Sequence, residues 1–205
     1  MRKALCIPPH RQISSRLEAL LTSAVLVAVA EIGDKTQLLS FVLAARLRKS
    51  GPIIAGIFAA TILNHAAAAW VGSLLGGLVP QSILVWMVGL SFIGFGLWAL
   101  HPDALDDSPK LHKAGVFVTA FVAFFLAEMG DKTQFATIAL AARFDQLLPV
   151  ILGTTAGMML ANVPAVWMGA KLAQKIPMNA VRIVAASLFI IVGIFTIWNP
   201  FTPAS

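Results

Sequence analysis

Apolar residues run through the chain in six long blocks, about 17–46, 51–79, 82–100, 114–143, 147–174 and 178–198, with short polar, Pro or Gly breaks between them. A helix crosses the hydrocarbon of a bilayer with roughly 20 mostly apolar residues, so the pattern predicts an all-α integral membrane protein with six transmembrane helices. The first and fourth blocks each run to about 30 residues. That exceeds a straight span and calls for either a tilt or a break, and Gly33 and Gly130 mark where a break would fall.

Composition agrees with the pattern. The chain is 59% hydrophobic and only 12% charged, with a mean hydropathy of +0.86, whereas a soluble domain is about one-quarter charged. The formal charge of +6 does not imply nucleic acid, because the cations stand singly or in short groups at block ends, where they anchor and orient a membrane protein. Cys6 is the single cysteine, which excludes an intramolecular disulfide and a cysteine metal cluster and leaves redox compartment unreadable. Arg2, Lys3 and Arg11 followed by "ALLTSAVLVAVA" resemble a secretory signal. The same arrangement recurs inside the chain at "FVAFFLAEMGDKTQ", so the first block reads as a retained helix.

That recurrence is part of a repeat with a constant offset of 97 residues (31 to 128). "EIGDKTQ" at 31 matches "EMGDKTQ" at 128 in six of seven positions. The offset also carries Ala44, Ala45 and Arg46 onto Ala141, Ala142 and Arg143, and Gly56, Trp70, Gly72, Pro80 and Gly96 onto Gly153, Trp167, Gly169, Pro177 and Gly193. The chain divides into a basic tail (1–16), a first repeat (17–100), a Pro-rich charged linker (101–113) and a second repeat (114–200), with three helices per repeat. An odd number of spans inserts the second repeat from the opposite side. The expectation is two inverted three-helix repeats, with any substrate site near the midplane where interrupted helices meet. Lys and Arg bias, with Arg46, Arg48, Lys49, Lys110, Lys113, Lys171 and Lys175 on one side, favours a cytoplasmic linker and outward termini. The basic tail counts against that orientation.

The repeated motif carries the chemistry. On a continuous helix Glu31, Asp34 and Gln37 would share one face that Ser40 extends, and Glu128, Asp131, Gln134 and Thr137 would repeat it. Brought together by the repeat axis, four carboxylates and two amide oxygens converge, with the Thr36 and Thr133 hydroxyls beside them. Such hard oxygen ligands suit Ca²⁺, Mn²⁺ or Mg²⁺, while Cu(I) and Zn²⁺ sites recruit thiolate or imidazole. A charged residue at the centre of a span costs roughly 2.5 to 3.5 kcal/mol, so four acids would cost on the order of 10 to 14. Compensation is therefore required. Lys35 and Lys132, each four residues after a glutamate, supply part of it in the favourable helical orientation. Two negative charges remain, and one divalent cation or two protons would cancel them. Carboxylates this crowded titrate as a group, so metal and protons would compete for one set of oxygens.

Two readings of the motif stay open on the residues alone. In one it is an ion site. In the other the charges are structural ion pairs locking helices, with Gln37 and Gln134 as hydrogen-bonding glue. Asn64 and His65, and Asn162, which the offset matches to His65, are either further ligands and a proton relay or interhelical hydrogen bonds. Pro164 would kink its helix. Trp70, Trp86, Trp98, Trp167 and Trp198 read as interface anchors or packing.

On these motifs the chain resembles the small cation exchangers of the Gdt-one type, whose eukaryotic members serve Golgi and chloroplast membranes and whose bacterial members export manganese. Their mark is a twice-occurring Glu-x-Gly-Asp-(Lys/Arg)-(Thr/Ser), met here by "EIGDKT" and "EMGDKT". The resemblance spans all six predicted helices, although the tail before Arg16 is longer than the bacterial pattern needs. It implies a secondary transporter exporting Mn²⁺ (or Ca²⁺) against protons, with Glu31, Asp34, Glu128 and Asp131 as the cation-binding acids. It further implies no enzymatic activity, no cofactor, no nucleic-acid partner and a multi-pass position in the cell's inner membrane. Assembly into a homo-oligomer is left open. Against this stand a divalent-cation channel, which would use the same acids as a selectivity ring, and a membrane-embedded carboxylate enzyme, for which no acid is marked as nucleophile.

Overall fold

The structure, a computed structural model, describes residues 9–101, 115–168 and 178–198. Among these, helices are the sole regular element: α1 (Pro9–Glu31), α2 (Lys35–Leu47), α3 (Ser50–Leu78), α4 (Gln81–Ala99), α5 (Val116–Glu128), α6 (Lys132–Phe144), α7 (Leu147–Met168) and α8 (Met178–Trp198). Within the described residues, four helices are long and apolar enough to cross a membrane: α1 over Ile13–Glu31, α3, α4 and α7. Val116–Glu128 and Ile183–Trp198 are shorter apolar helices. The linker 102–113 and the cations Arg2, Lys3, Lys110, Lys113, Lys171 and Lys175 lie outside the described residues, as do Gly169 and Pro177.

The two long apolar blocks break rather than tilt. α1 ends at Glu31 and α2 starts at Lys35; α5 ends at Glu128 and α6 starts at Lys132. Each gap is a tight turn in which the Asp34 amide donates to the Glu31 carbonyl at 3.1 Å, and Asp131 to Glu128 at 3.2 Å. The third residue of the turn has positive φ, 82° at Gly33 and 74° at Gly130. Met129 at φ −63°, ψ 118° completes the type II pattern, which demands glycine at that third place. The short links after α2 and α6 also correspond, since Arg48 and Asp145 both adopt the left-handed conformation (φ 52° and 50°). The 97-residue repeat of the sequence is therefore repeated in backbone geometry.

Packing is reciprocal between the halves. α1 lies on α7 and α5 on α3. At the first contact the Gly153 backbone meets the Leu20 carbonyl and the Ser23 side chain; at the second, Gly56 meets the Phe117 carbonyl and Ala120, so that a Cβ added at Gly56 would stand 2.7 Å from the Phe117 oxygen. α4 and α8 pack on each other through Phe92 and Phe189, whose rings stack at 6.1 Å. The reciprocity is incomplete. α4 also runs along α6 and α8 along α1, whereas the counterpart pairings, α8 on α2 and α4 on α5, are marginal among the described residues. The core has two parts, one around Phe92, Leu140 and Phe189, the other around Leu43, Ile57 and Phe124. All five tryptophans stay exposed, as membrane anchors would.

Candidate ion-binding site

The two glycine turns place four helix ends in one region: the C-terminal ends of α1 and α5, and the N-terminal ends of α2 and α6. Glu31 and Glu128 close the first two helices, and Asp34 and Asp131 are the N-cap residues of the second two. An N-cap aspartate ordinarily accepts a bond from its own first turn. Neither does so here.

Instead each aspartate reaches across to the other half. Lys35 Nζ lies 3.1 Å from Asp131 Oδ1, and Lys132 Nζ pairs with Asp34 Oδ1. This corrects the expectation that Glu31 would pair with Lys35 and Glu128 with Lys132. That geometry needs an unbroken helix, and the turns at Gly33 and Gly130 remove it. The shared face expected of Glu31, Asp34 and Gln37 is interrupted at the same place.

The glutamates are held by threonines. Thr36 Oγ1 donates to Glu31 Oε2, and Thr133 Oγ1 donates to Glu128 Oε2 at 3.0 Å. The other oxygen of each, Oε1, is buried with no hydrogen-bond partner among the described residues, and so is Asp131 Oδ2. Glu31, Glu128 and Asp131 are all buried, and each offers a carboxylate oxygen within 4.8 Å of the others. The structure thus brings together acids from positions 97 residues apart in sequence and leaves them short of positive charge, the condition under which a hard cation binds.

The remaining predicted residues fall around this triad. The Gly33 and Gly130 amides donate to Gln37 Oε1 and Gln134 Oε1, both at 2.8 Å, which fixes the turns. Gln37 Nε2 also donates to the Ala161 carbonyl at 3.2 Å, tying α2 to α7. Asn64 Nδ2 donates to the Phe125 carbonyl near the end of α5 at 3.2 Å. Asn162 accepts from Ser40 Oγ at 2.6 Å and donates to the Met158 carbonyl at 3.0 Å. His65 is fully buried, and neither ring nitrogen has a hydrogen-bond partner among the described residues. Pro164 lies inside α7. A cleft of about 10 Å³, roughly the room of one water molecule, opens beside the Asp34–Lys132 pair between Ala30, Ile32, Gly33, Ala99 and Ala185.

Sequence reasoning missed the crossing of the ion pairs and the capping role of the glutamines. The signal for the break was present: a Glu-x-Gly-Asp stretch with glycine third is a turn pattern even inside an apolar block.

The family model described as "Divalent cation/proton antiporter GDT1" matches twice, over residues 19–107 and 116–204, one match per repeat. A protein of Vibrio cholerae named "Putative manganese exporter" is 49% identical over 181 residues, covering 88% of this chain and 90% of its own. "GDT1-like protein 5" of Arabidopsis thaliana is 28% identical over 227 residues, covering 92% of this chain and 99% of its own. No solved structure matches the chain.

Proposed function

The chain belongs to the GDT1 family, whose members are membrane transporters of divalent cations rather than enzymes, and on that premise we propose that it exports Mn²⁺ from the cell in exchange for protons. One observation carries the reading: Glu31, Glu128 and Asp131, all buried, hold carboxylate oxygens within 4.8 Å of one another. With Asp34 and the two lysines the cluster sums to minus two, so one divalent cation or two protons balance it. Competition between the two for the same oxygens becomes exchange when access alternates between the faces of the membrane. Mn²⁺ is preferred over Ca²⁺ because the Vibrio cholerae relative is named for manganese; hard oxygen ligands accept both.

The architecture that serves this is two inverted three-helix repeats forming six spans in the inner membrane, α1–α2 and α5–α6 each being one broken span. Reciprocal packing of α1 on α7 and α5 on α3 supports it, as do helix breaks at the site, a hallmark of transporters of this architecture. The test is Mn²⁺ uptake into proteoliposomes with and without an opposing pH gradient. Uptake accelerated by the gradient, and abolished by Asp34→Asn with Asp131→Asn, is the expected result. Uptake that ignores the gradient, or a metal current without proton counterflow, refutes exchange.

A further inference from the structure

The four acids are not equivalent. Glu31, Glu128 and Asp131, each with one oxygen engaged, by Thr36, Thr133 and Lys35 respectively, bring carboxylate oxygens within 4.8 Å of one another. Asp34 stands outside that triad, held by Lys132. The two lysines differ as well: the side chain of Lys35 is 25% exposed and that of Lys132 only 4%. The covering follows the same division. Ala99 at the end of α4 and Ala185 of α8 line the cleft beside Asp34 and Lys132. Gly33 of the first turn is buried, whereas Met129 and Gly130 of the other turn are exposed. α4 and α8 lean on α6 and α1 without an equal counterpart on α2 and α5.

We propose that the lysines decide which aspartate joins the two glutamates. In this conformation the cation site is Glu31, Glu128 and Asp131. Lys35 is a tethered ammonium that gives up Asp131 to an entering divalent cation, while Lys132 keeps Asp34 out of the site. In the counterpart conformation, reached when α4 and α8 shift onto α5 and α2, Asp34 joins the glutamates, Lys132 yields and Lys35 holds Asp131. The cation thus passes between two overlapping three-carboxylate sites that share both glutamates. Because both pairs cross between the halves, a rocking of one half on the other about an axis between the pairs loosens one and tightens the other. The inference rests on the proposed transport function and adds residue roles to it.

The test uses the full-length protein with Mn²⁺ as the probe. Equilibrium binding and proteoliposome transport are measured for the wild type, Asp131→Asn, Asp34→Asn, Lys35→Met, Lys35→Arg and Lys132→Met. Asp131→Asn is expected to weaken binding at least about tenfold more than Asp34→Asn, since it removes a ligand and not a bystander. Lys35→Met, which removes the competing ammonium, tightens binding and lowers KM and kcat together. Lys35→Arg restores wild-type affinity, and Lys132→Met, which frees an aspartate outside the present three-carboxylate site, tightens binding less than Lys35→Met does. Should Asp131→Asn fail to fold, the contrast between Lys35→Met and Lys132→Met decides the matter alone. Equal losses for the two aspartates, the reverse order, or weaker binding by Lys35→Met overturns the inference while leaving the transport function standing. A wild-type protein that binds no Mn²⁺ overturns both.

Discussion

Replacing Lys132 with methionine isolates the energetics of the crossed pairs. Methionine preserves most of the volume of the side chain and removes its charge, leaving Asp34 buried without its cation. Breaking a buried ion pair by removing one partner costs roughly 3 to 5 kcal/mol, chiefly from the charge left behind. For a chain of this length each kcal/mol lowers Tm by about 2 to 4 °C, so Lys132→Met is expected to melt about 6 to 20 °C below wild type. Lys35→Met breaks the equivalent pair where the lysine is 25% exposed, and water screens part of the loss, so its shift is smaller. The second half of the cycle is more telling. Lys132→Met with Asp34→Asn removes one charge of each sign, returns the cluster to its wild-type balance and recovers most of the lost stability, because directly contacting groups couple by about 0.5 to 3 kcal/mol. Lys132→Met with Glu128→Gln recovers less. Thermal unfolding of the purified variants followed by tryptophan fluorescence measures all of these. Greater rescue by Glu128→Gln than by Asp34→Asn would show that the lysine serves its own helix neighbour, and the crossed arrangement would be wrong.

Three further outcomes follow from the same geometry. Gly130→Ala meets no steric obstacle but forces alanine to φ 74°, so it lowers stability by about 1 to 2 kcal/mol, read as a fall in Tm. Gly56→Val places a methine carbon 2.7 Å from the Phe117 carbonyl oxygen; overpacking of this kind costs about 1 to 3 kcal/mol, and the variant shows it as lower Tm and faster proteolysis between the halves. Thr36→Val removes the hydroxyl that orients Glu31, a bond to a charged group worth about 1.5 to 3 kcal/mol, and Mn²⁺ transport in proteoliposomes falls accordingly while Glu31 remains in place.

Much of the fold was legible in the apolar pattern. The six blocks are helical where they are described apart from their ends and the two turns at 32–34 and 129–131, and the 97-residue offset marked Gly33 and Gly130 as equivalent places for a break; the matched left-handed residues Arg48 and Asp145 were not among its correspondences. Hydrophobic periodicity could not separate a tilted helix from a broken one, because both present the same run of apolar side chains. The turn chemistry of Glu31-Ile32-Gly33-Asp34 did carry that information. That the acids are buried together was equally legible, since carboxylates set inside an apolar block are costly and call for compensation. Their partners were not. Nearest-neighbour reasoning pairs Lys35 with Glu31, and the actual choice of Asp131 depends on how two distant segments meet. The glutamines illustrate the same limit: the sequence marks them as polar and inward, yet only the folded turn reveals that their oxygens are claimed by glycine amides.

The crossing of Lys35 and Lys132 also bears on what either repeat can be alone. Produced as a separate polypeptide, each would carry a lysine and an aspartate whose natural partners reside on the missing piece, so neither fragment is electrically self-sufficient. Co-production of the two fragments is expected to rescue both from degradation, because each supplies the counter-charges the other lacks.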